Sequence, residues 1–106
     1  MKKETDVYSD DEVKLARFAK ALSHPARIQI MKLLASQNSC FCGNIAGYLP
    51  LSQSTVSQHL KELKDAGLII ANVKQPKIYY CICKENWDMA KKFLDALFEK
   101  KACEIC

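Results

Sequence analysis

A chain of 106 residues, 49% hydrophobic and 26% charged, has room for one small core and the composition of an ordinary globular domain. No stretch approaches the roughly 20 apolar residues that cross a bilayer, and the opening MKKETDVYSDDE lacks the apolar run of a secretory signal; a single cytoplasmic domain over residues 1–106, without membrane contact and with mobile ends, is expected. The net charge of +4 is concentrated: residues 15–84 hold nine Lys or Arg against two acids while both ends are acidic, a layout that suits a polyanion held by the middle of the chain.

The first elements read as scaffold. Ser9 before Asp10, Asp11 and Glu12 is an N-cap with acids in the first turn, complementing the helix dipole. Leu15, Phe18, Ala19 and Leu22 recur at i, i+3, i+4 and i+7, which predicts a helix from Asp10 to Leu22. Ser23 caps a second helix with Pro25 in its first turn, and Ile28, Met31, Leu34 and Ala35 carry the period to about Ser36. Ser39 then caps a short helix from Cys42 to Tyr48 that buries Ile45, Ala46 and Leu49, and Pro50 stops it.

The following helix has two unlike faces. Ser52 is its N-cap, Val56, Leu60 and Leu63 form an apolar stripe, and Gly67 stands where a left-handed residue ends a helix without steric cost. Opposite lie Gln53, Ser54, Ser57, Gln58 and Lys61, short amides and hydroxyls near a helix N-terminus, the chemistry that reads base edges and phosphates in a major groove. Two short helices joined by a tight turn, the second with a polar face, make a helix-turn-helix. An ordinary amphipathic surface helix is the plainer alternative.

After Gly67 the period changes from 3.6 to 2. Leu68 to Val73 and Ile78 to Cys83 read as strands around the loop KQPK, a hairpin with Lys74 and Lys77 near its tip. The expected fold is mainly α with a small β-hairpin: a winged helix-turn-helix of about five helices and a two-stranded wing. The tip lysines either neutralise phosphates or are simply solvated. Asn86 caps a last helix whose Ala90, Phe93, Leu94, Leu97 and Phe98 form a wide apolar stripe. So small a core cannot easily cover both this helix and the first, which predicts a homodimer through those two helices; packing within one chain is the alternative.

Six cysteines fall in three pairs, Cys40/Cys42, Cys81/Cys83 and Cys103/Cys106. In a reducing compartment grouped thiols bind metal or do redox chemistry more often than they form stable disulfides. Cys103-x-x-Cys106 does not open a helix beside a βαβ unit, and no phosphate loop, nucleophile elbow or carboxylate pair accompanies it. Enzyme activity is not expected.

The segments ALSHPARIQIMKLL, SCFCGNIAGYLPLSQSTVSQHLKELKDAGLI and the hairpin ending in KIYYCI together resemble the ArsR/SmtB family of metal-sensing winged-helix repressors, over about Val13 to Ala102. The resemblance implies a repressor that binds an inverted-repeat operator as a homodimer, its recognition helices in successive major grooves about 34 Å apart. It implies base and phosphate contacts from Gln53, Ser54, Ser57 and Gln58, with Lys61, Lys74 and Lys77 beside them. His59 either touches DNA or is a packed, hydrogen-bonded histidine. In the wing the chain departs from the family, which usually has a glycine where this turn has Lys74-Gln75-Pro76-Lys77.

The family's effector classes differ in their ligands. One uses His and Asp on the last helix, but His24 and His59 are the chain's only histidines and neither is there. Another has Cys-x-Cys at the start of the third helix, where Cys40-Phe41-Cys42 stands, with Ile45 in place of a local third cysteine. Thiolates select soft centres, and the resemblance makes trivalent arsenic or antimony the expected effector, with no permanent cofactor. On a regular helix residues i and i+2 point about 200° apart, so either Cys40 lies outside the helix or binding unwinds the first turn. Such a change would pass through Pro50 to the recognition helix and release DNA. The plainer alternative is that Cys40 and Cys42 are small buried hydrophobes. A third sulfur is expected from Cys103 or Cys106, of either chain, which could equally form a two-thiol site of their own, whereas Cys81 and Cys83 share a strand face and could ligate but read first as packing or surface. A thiol/disulfide redox sensor is the first alternative. A cadmium or lead sensor of the same fold is the second, disfavoured because residues 1–23 lack Cys and His.

Overall fold

Ser9 opens the first helix as its sequence suggests. Its Oγ accepts from the Glu12 N–H (3.1 Å) while the Glu12 carboxylate accepts from the Ser9 N–H (2.8 Å), a reciprocal box whose hydrogen bonds hold the Glu12 carboxyl below its ordinary pKa. Helix α1 runs Asp10–Ala21 and α2 runs Pro25–Ala35. The cap of α2 is His24, not Ser23: His24 Nδ1 accepts from the Ala26 N–H (3.0 Å), and the Ser23 hydroxyl instead donates to the Lys20 carbonyl at the end of α1 (2.6 Å). The computed structural model describes residues 7–37, 40–43 and 45–104. The expected Ser39 cap lies outside the described residues, and so does most of what was expected of the chain ends.

The expected short helix from Cys42 to Tyr48 is instead a strand, β1 (Phe41–Cys42), followed by a single 3-10 turn at Ile45–Tyr48. Phe41 and Cys42 pair with Tyr80 and Tyr79 of a distant strand, and Gly43 (φ +144°) takes a conformation that breaks the run toward a helix. The burial expected here is kept. Ile45 is buried, Ala46 and Leu49 pack on the core, and the Phe41 ring meets Tyr48 edge-on at 5.6 Å.

Helix α3 spans Gln53–Asp65, β2 spans Ile69–Lys74, β3 spans Lys77–Ile82 and α4 spans Lys84–Phe98. The strands form one antiparallel sheet in the order β1-β3-β2, so the fold is four α-helices with a three-stranded sheet whose β2–β3 hairpin is the wing. Its register pairs Ile69 with Ile82 and Lys74 with Lys77, leaving Gln75 and Pro76, joined by a cis peptide bond, as the turn. Ile69, Ala71, Tyr80 and Ile82 alternate toward the core, while Ile70, Asn72, Tyr79 and Cys81 take the other face. Val56, Leu63 and Leu68 are fully buried with Ile30 at the centre.

Asn86 does not cap α4. The helix begins three residues earlier, after Cys83, and the Asn86 side-chain N–H donates to the Gly67 carbonyl (2.8 Å). Gly67 (φ +85°) ends α3 as expected. Helix α4 packs against α1, yet Leu97 and Phe98 stay 52% and 74% exposed beside an apolar groove lined by Leu22, Leu68, Trp87 and Leu94. Among the described residues no helix is long and apolar enough to cross a membrane.

Candidate nucleic-acid interface and thiol face

The α3 stripe of Val56, Leu60 and Leu63 is buried, which turns Gln53, Ser54, Ser57, Gln58 and Lys61 outward, all exposed. Ser52 Oγ accepts from the Thr55 N–H (3.3 Å) and shares hydrogen bonds with the Ser54 and Thr55 hydroxyls (3.2 and 2.9 Å). Hydroxyls and unpaired N–H groups therefore cluster at the N-terminal end of the helix, where an anionic oxygen is favoured. Thr55 belongs to this cluster and was not among the expected contacts.

Three side chains from elsewhere fix the helix. Arg17 of α1 donates to the Asp65 carbonyl (2.7 Å), Asn86 holds Gly67 just beyond it, and Arg27 Nε donates to His59 Nδ1 (3.1 Å). Arg27 also donates to the Ala21 carbonyl (3.2 Å), and the His24 ring lies 4.4 Å from that of His59. His59 is thus corrected as a DNA contact: it is 8% exposed, turned toward α2 and hydrogen-bonded. Its burial first, and then the neighbouring His24 and Arg27, hold its pKa below the ordinary 6.5, so the ring is neutral near pH 7. Arg27, a cation in the first turn of α2 beside its apolar stripe, is a signal present in the sequence.

The wing stands beside this face. Ser57, Lys61 and Lys64 of α3 and Val73, Ile78 and Tyr80 of the hairpin line one shallow groove of about 190 Å³. Lys64 lies three residues after Lys61 on the same stripe, so its place was readable from spacing. Lys74 and Lys77 face each other at the exposed tip, with Lys74 Nζ 5.7 Å from the centre of the Tyr79 ring. Like charges directly opposite on a hairpin repel, and an anion at the tip would relieve that repulsion.

Cys40 and Cys81 are joined by a disulfide, their Cα atoms 4.5 Å apart. Because Phe41 pairs with Tyr80, Cys40 stands opposite Cys81, and strand alternation puts Cys42 and Cys83 on that same face. Cys40 lies outside any helix, one of the two arrangements expected, while Cys42 is on a strand and not at a helix start, so the two point the same way. Cys81, read first as packing or surface, is the covalent partner of Cys40. Cys42 and Cys83 are thiols, the first exposed and the second partly buried. A groove of about 520 Å³ runs past the disulfide between the end of α2 and the start of α4, lined by Leu34, Gln37, Lys84 and Trp87. Among the described residues no three ligand-type side chains stand ready to hold a metal ion. Cys106 lies outside the described residues.

Comparison with known proteins gives concordant findings. Residues 24–71 match the family model described as bacterial regulatory protein, arsR family. The chain is 35% identical over 75 residues to the HTH-type transcriptional regulator CmtR of Mycobacterium tuberculosis, a match covering 71% of this chain and 63% of that protein, which is less than two thirds of its length. It is 31% identical over 83 residues to the arsenical resistance operon repressor of Staphylococcus xylosus, covering 78% and 79% of the two chains. The solution structure of the homodimeric winged helix-turn-helix DNA-binding domain Mb0332 of Mycobacterium bovis superposes with a TM-score of 0.66 at 28% identity, covering 100% of this chain and 94% of that one.

Proposed function

This chain belongs to the arsR family of bacterial regulatory proteins, and from that premise we propose that it is a cytoplasmic transcriptional repressor that binds operator DNA as a homodimer and releases it when a trivalent arsenic or antimony species binds Cys40 and Cys42. The family is one of regulators, in line with the lack of catalytic motifs in the sequence.

The observation that carries the DNA-binding half is the common exposure of Gln53, Ser54, Ser57, Gln58 and Lys61 beside the opposed Lys74 and Lys77. Amides and hydroxyls on α3 supply base-edge and phosphate hydrogen bonds, and the wing lysines anchor the backbone. The apolar outer face of α4, with Leu97 and Phe98, would be covered by a second copy packed along α1 and α4. The matched domain of known structure is itself homodimeric. Soft thiolate donors suit a metalloid, and one matched relative is an arsenical resistance repressor.

A route from the cysteines to α3 is present. Phe41 sits between Cys40 and Cys42 and packs edge-on against Tyr48 of the 3-10 turn, which leads through Pro50 into the Ser52 cap. Once Cys40 is reduced, drawing its thiol and that of Cys42 onto one ion moves Phe41, and with it the first arm of the helix-turn-helix. Release then requires only that the displaced arrangement bind DNA less tightly than the resting one.

One observation favours a second reading, in which the Cys40–Cys81 disulfide is itself the signal and oxidation alters DNA affinity. The DNA-binding half is tested by fluorescence anisotropy on a duplex selected from a random-sequence library, against a scrambled duplex. The wild type should prefer the selected duplex, and Gln53→Ala/Gln58→Ala should lose about 1–3 kcal/mol for each bidentate base contact removed. Equal affinity for both duplexes would overturn the reading.

A further inference from the structure

Cys42 and Cys81 lie on two paired strands far apart in sequence, with Cys40 just before β1 and Cys83 just after β3. Cys40 and Cys81 are directly opposed, with Cα atoms 4.5 Å apart, and their sulfurs are bonded. Cys42 follows Cys40 along the same face at about 6.6 Å, the rise of two strand residues, and is diagonal to Cys81 at about 7–8 Å between Cα atoms. The three residues are thus neighbours on one face of the sheet, Cys40 and Cys42 exposed and Cys81 partly buried. The groove past Cys40 and Cys81 lets a small molecule approach. Cys83 lies on the other side of the Cys40–Cys81 pair, where its N–H is bonded to the Leu68 carbonyl (2.9 Å) at the start of α4.

We infer that Cys40, Cys42 and Cys81 form a single three-thiol site for a trivalent metalloid, with the third sulfur supplied by β3 and not by the C-terminal tail, and that the Cys40–Cys81 disulfide is the locked form of that site. This inference rests on the metalloid-responsive reading above. In the locked form Cys42 is the trio's one remaining thiol, so no three-sulfur ligand set exists. Unlocking is a thiol–disulfide exchange with a low-molecular-weight monothiol of the glutathione class. Its thiolate attacks one sulfur of the pair, the other sulfur leaves and takes a proton, and a second monothiol resolves the mixed disulfide. Two protein thiols form as two small thiols become one small disulfide. Loading with arsenous acid then exchanges three As–O bonds for three As–S bonds, the three thiol protons leaving with the hydroxyls as water. The site responds only when the metalloid is present and the thiol pool is reducing.

The test uses the full chain, reduced with a phosphine that does not itself bind arsenic. Arsenite is titrated while the ultraviolet arsenic–thiolate absorption is followed and remaining thiols are counted. Reduced wild type should bind one arsenic and lose three thiols. Cys81→Ser should weaken binding by at least about tenfold, the loss that even an outer-shell partner can cause. Cys83→Ser and Cys103→Ser/Cys106→Ser should bind as wild type does, and the oxidised wild type should give no absorption. If Cys81→Ser binds like wild type, or the tail variant is the one that loses binding, the inference is overturned while the metalloid reading stands. Equal binding by oxidised protein would overturn the lock. If reduced wild type binds no arsenite, the metalloid reading fails and the inference with it. Circular dichroism of each variant confirms that a loss is not unfolding.

Discussion

Arg27 Nε donates to Nδ1 of His59 across 3.1 Å, so the recognition helix is tied to α2 by a bond that only the neutral imidazole can accept. Burial lowers the His59 pKa below 6.5, and the charges of His24 and Arg27 lower it further. For a histidine depressed in this way the unfolded chain binds the proton more readily. The contribution of His59 to stability is complete above pH 6.5 and is lost as pH falls through the depressed folded value. Urea midpoints measured across that window should fall for wild type and stay flatter for His59→Gln, which keeps an acceptor without the titration. Removing the donor with Arg27→Met should cost about 1–3 kcal/mol at neutral pH by leaving a buried acceptor unpaired. Parallel pH profiles for wild type and His59→Gln would show that another group carries the effect.

Gly67 and Asn86 form a second tie. A Cβ at Gly67 would lie 2.8 Å from Asn86 Nδ2, and the backbone there is left-handed. Gly67→Ala should destabilise by about 1–2 kcal/mol for the left-handed conformation, with about 1 kcal/mol more for the displaced Asn86 hydrogen bond. In a Gly67→Ala/Asn86→Ala chain the clash is gone, so the double variant should be less destabilised than the two single changes added together. Strict additivity in denaturant melts would argue that the two residues do not share one interaction.

At the wing tip, Lys74→Gln/Lys77→Gln removes two opposed cations. If both neutralise phosphates, the dependence of log affinity on log salt should become shallower by about 0.9 for each lost contact. Affinity should drop alike on selected and scrambled duplexes. Thermal stability should hold or rise slightly, because the pair repels in the free protein. An unchanged salt slope would place the lysines in solvent.

The exposure of Leu97 and Phe98 on α4 makes the dimer testable. Leu97→Glu/Phe98→Glu should sediment as a monomer with a native circular dichroism spectrum, and should bind a two-half-site duplex no more tightly than a single half-site. A variant that remains dimeric would move the interface elsewhere.

The recognition helix was legible because everything that defines it is local. The Ser52 cap, the Val56-Leu60-Leu63 stripe and the Gly67 stop all lie within one run of sequence, and the exposed face follows from the buried one. The segment around Cys40 was not legible in the same way. Its backbone hydrogen bonds go to Tyr79 and Tyr80, about 40 residues away by the pairing rule that no local period reports. Apolar Phe41, Ile45 and Ala46 fit a short helix about as well as a strand and a turn. The difference bears on the chemistry, since only the strand pairing aligns Cys40 with Cys42 and brings Cys81 to them. Ser23 and Asn86 are good capping residues by type, but their side chains serve Lys20 and Gly67 instead, because His24 and the extended Cys83 occupy the cap positions.

The most direct measurement adds arsenite to phosphine-reduced protein bound to its selected duplex and follows anisotropy, for wild type and for Cys40→Ser/Cys42→Ser. The expected result is that wild-type affinity for DNA weakens about 5- to 150-fold, the range of ordinary allosteric coupling, while the variant stays bound at every arsenite concentration. Wild type that holds its duplex at saturating arsenite, or a variant released equally well, would contradict the assignment of Cys40 and Cys42 as the effector site.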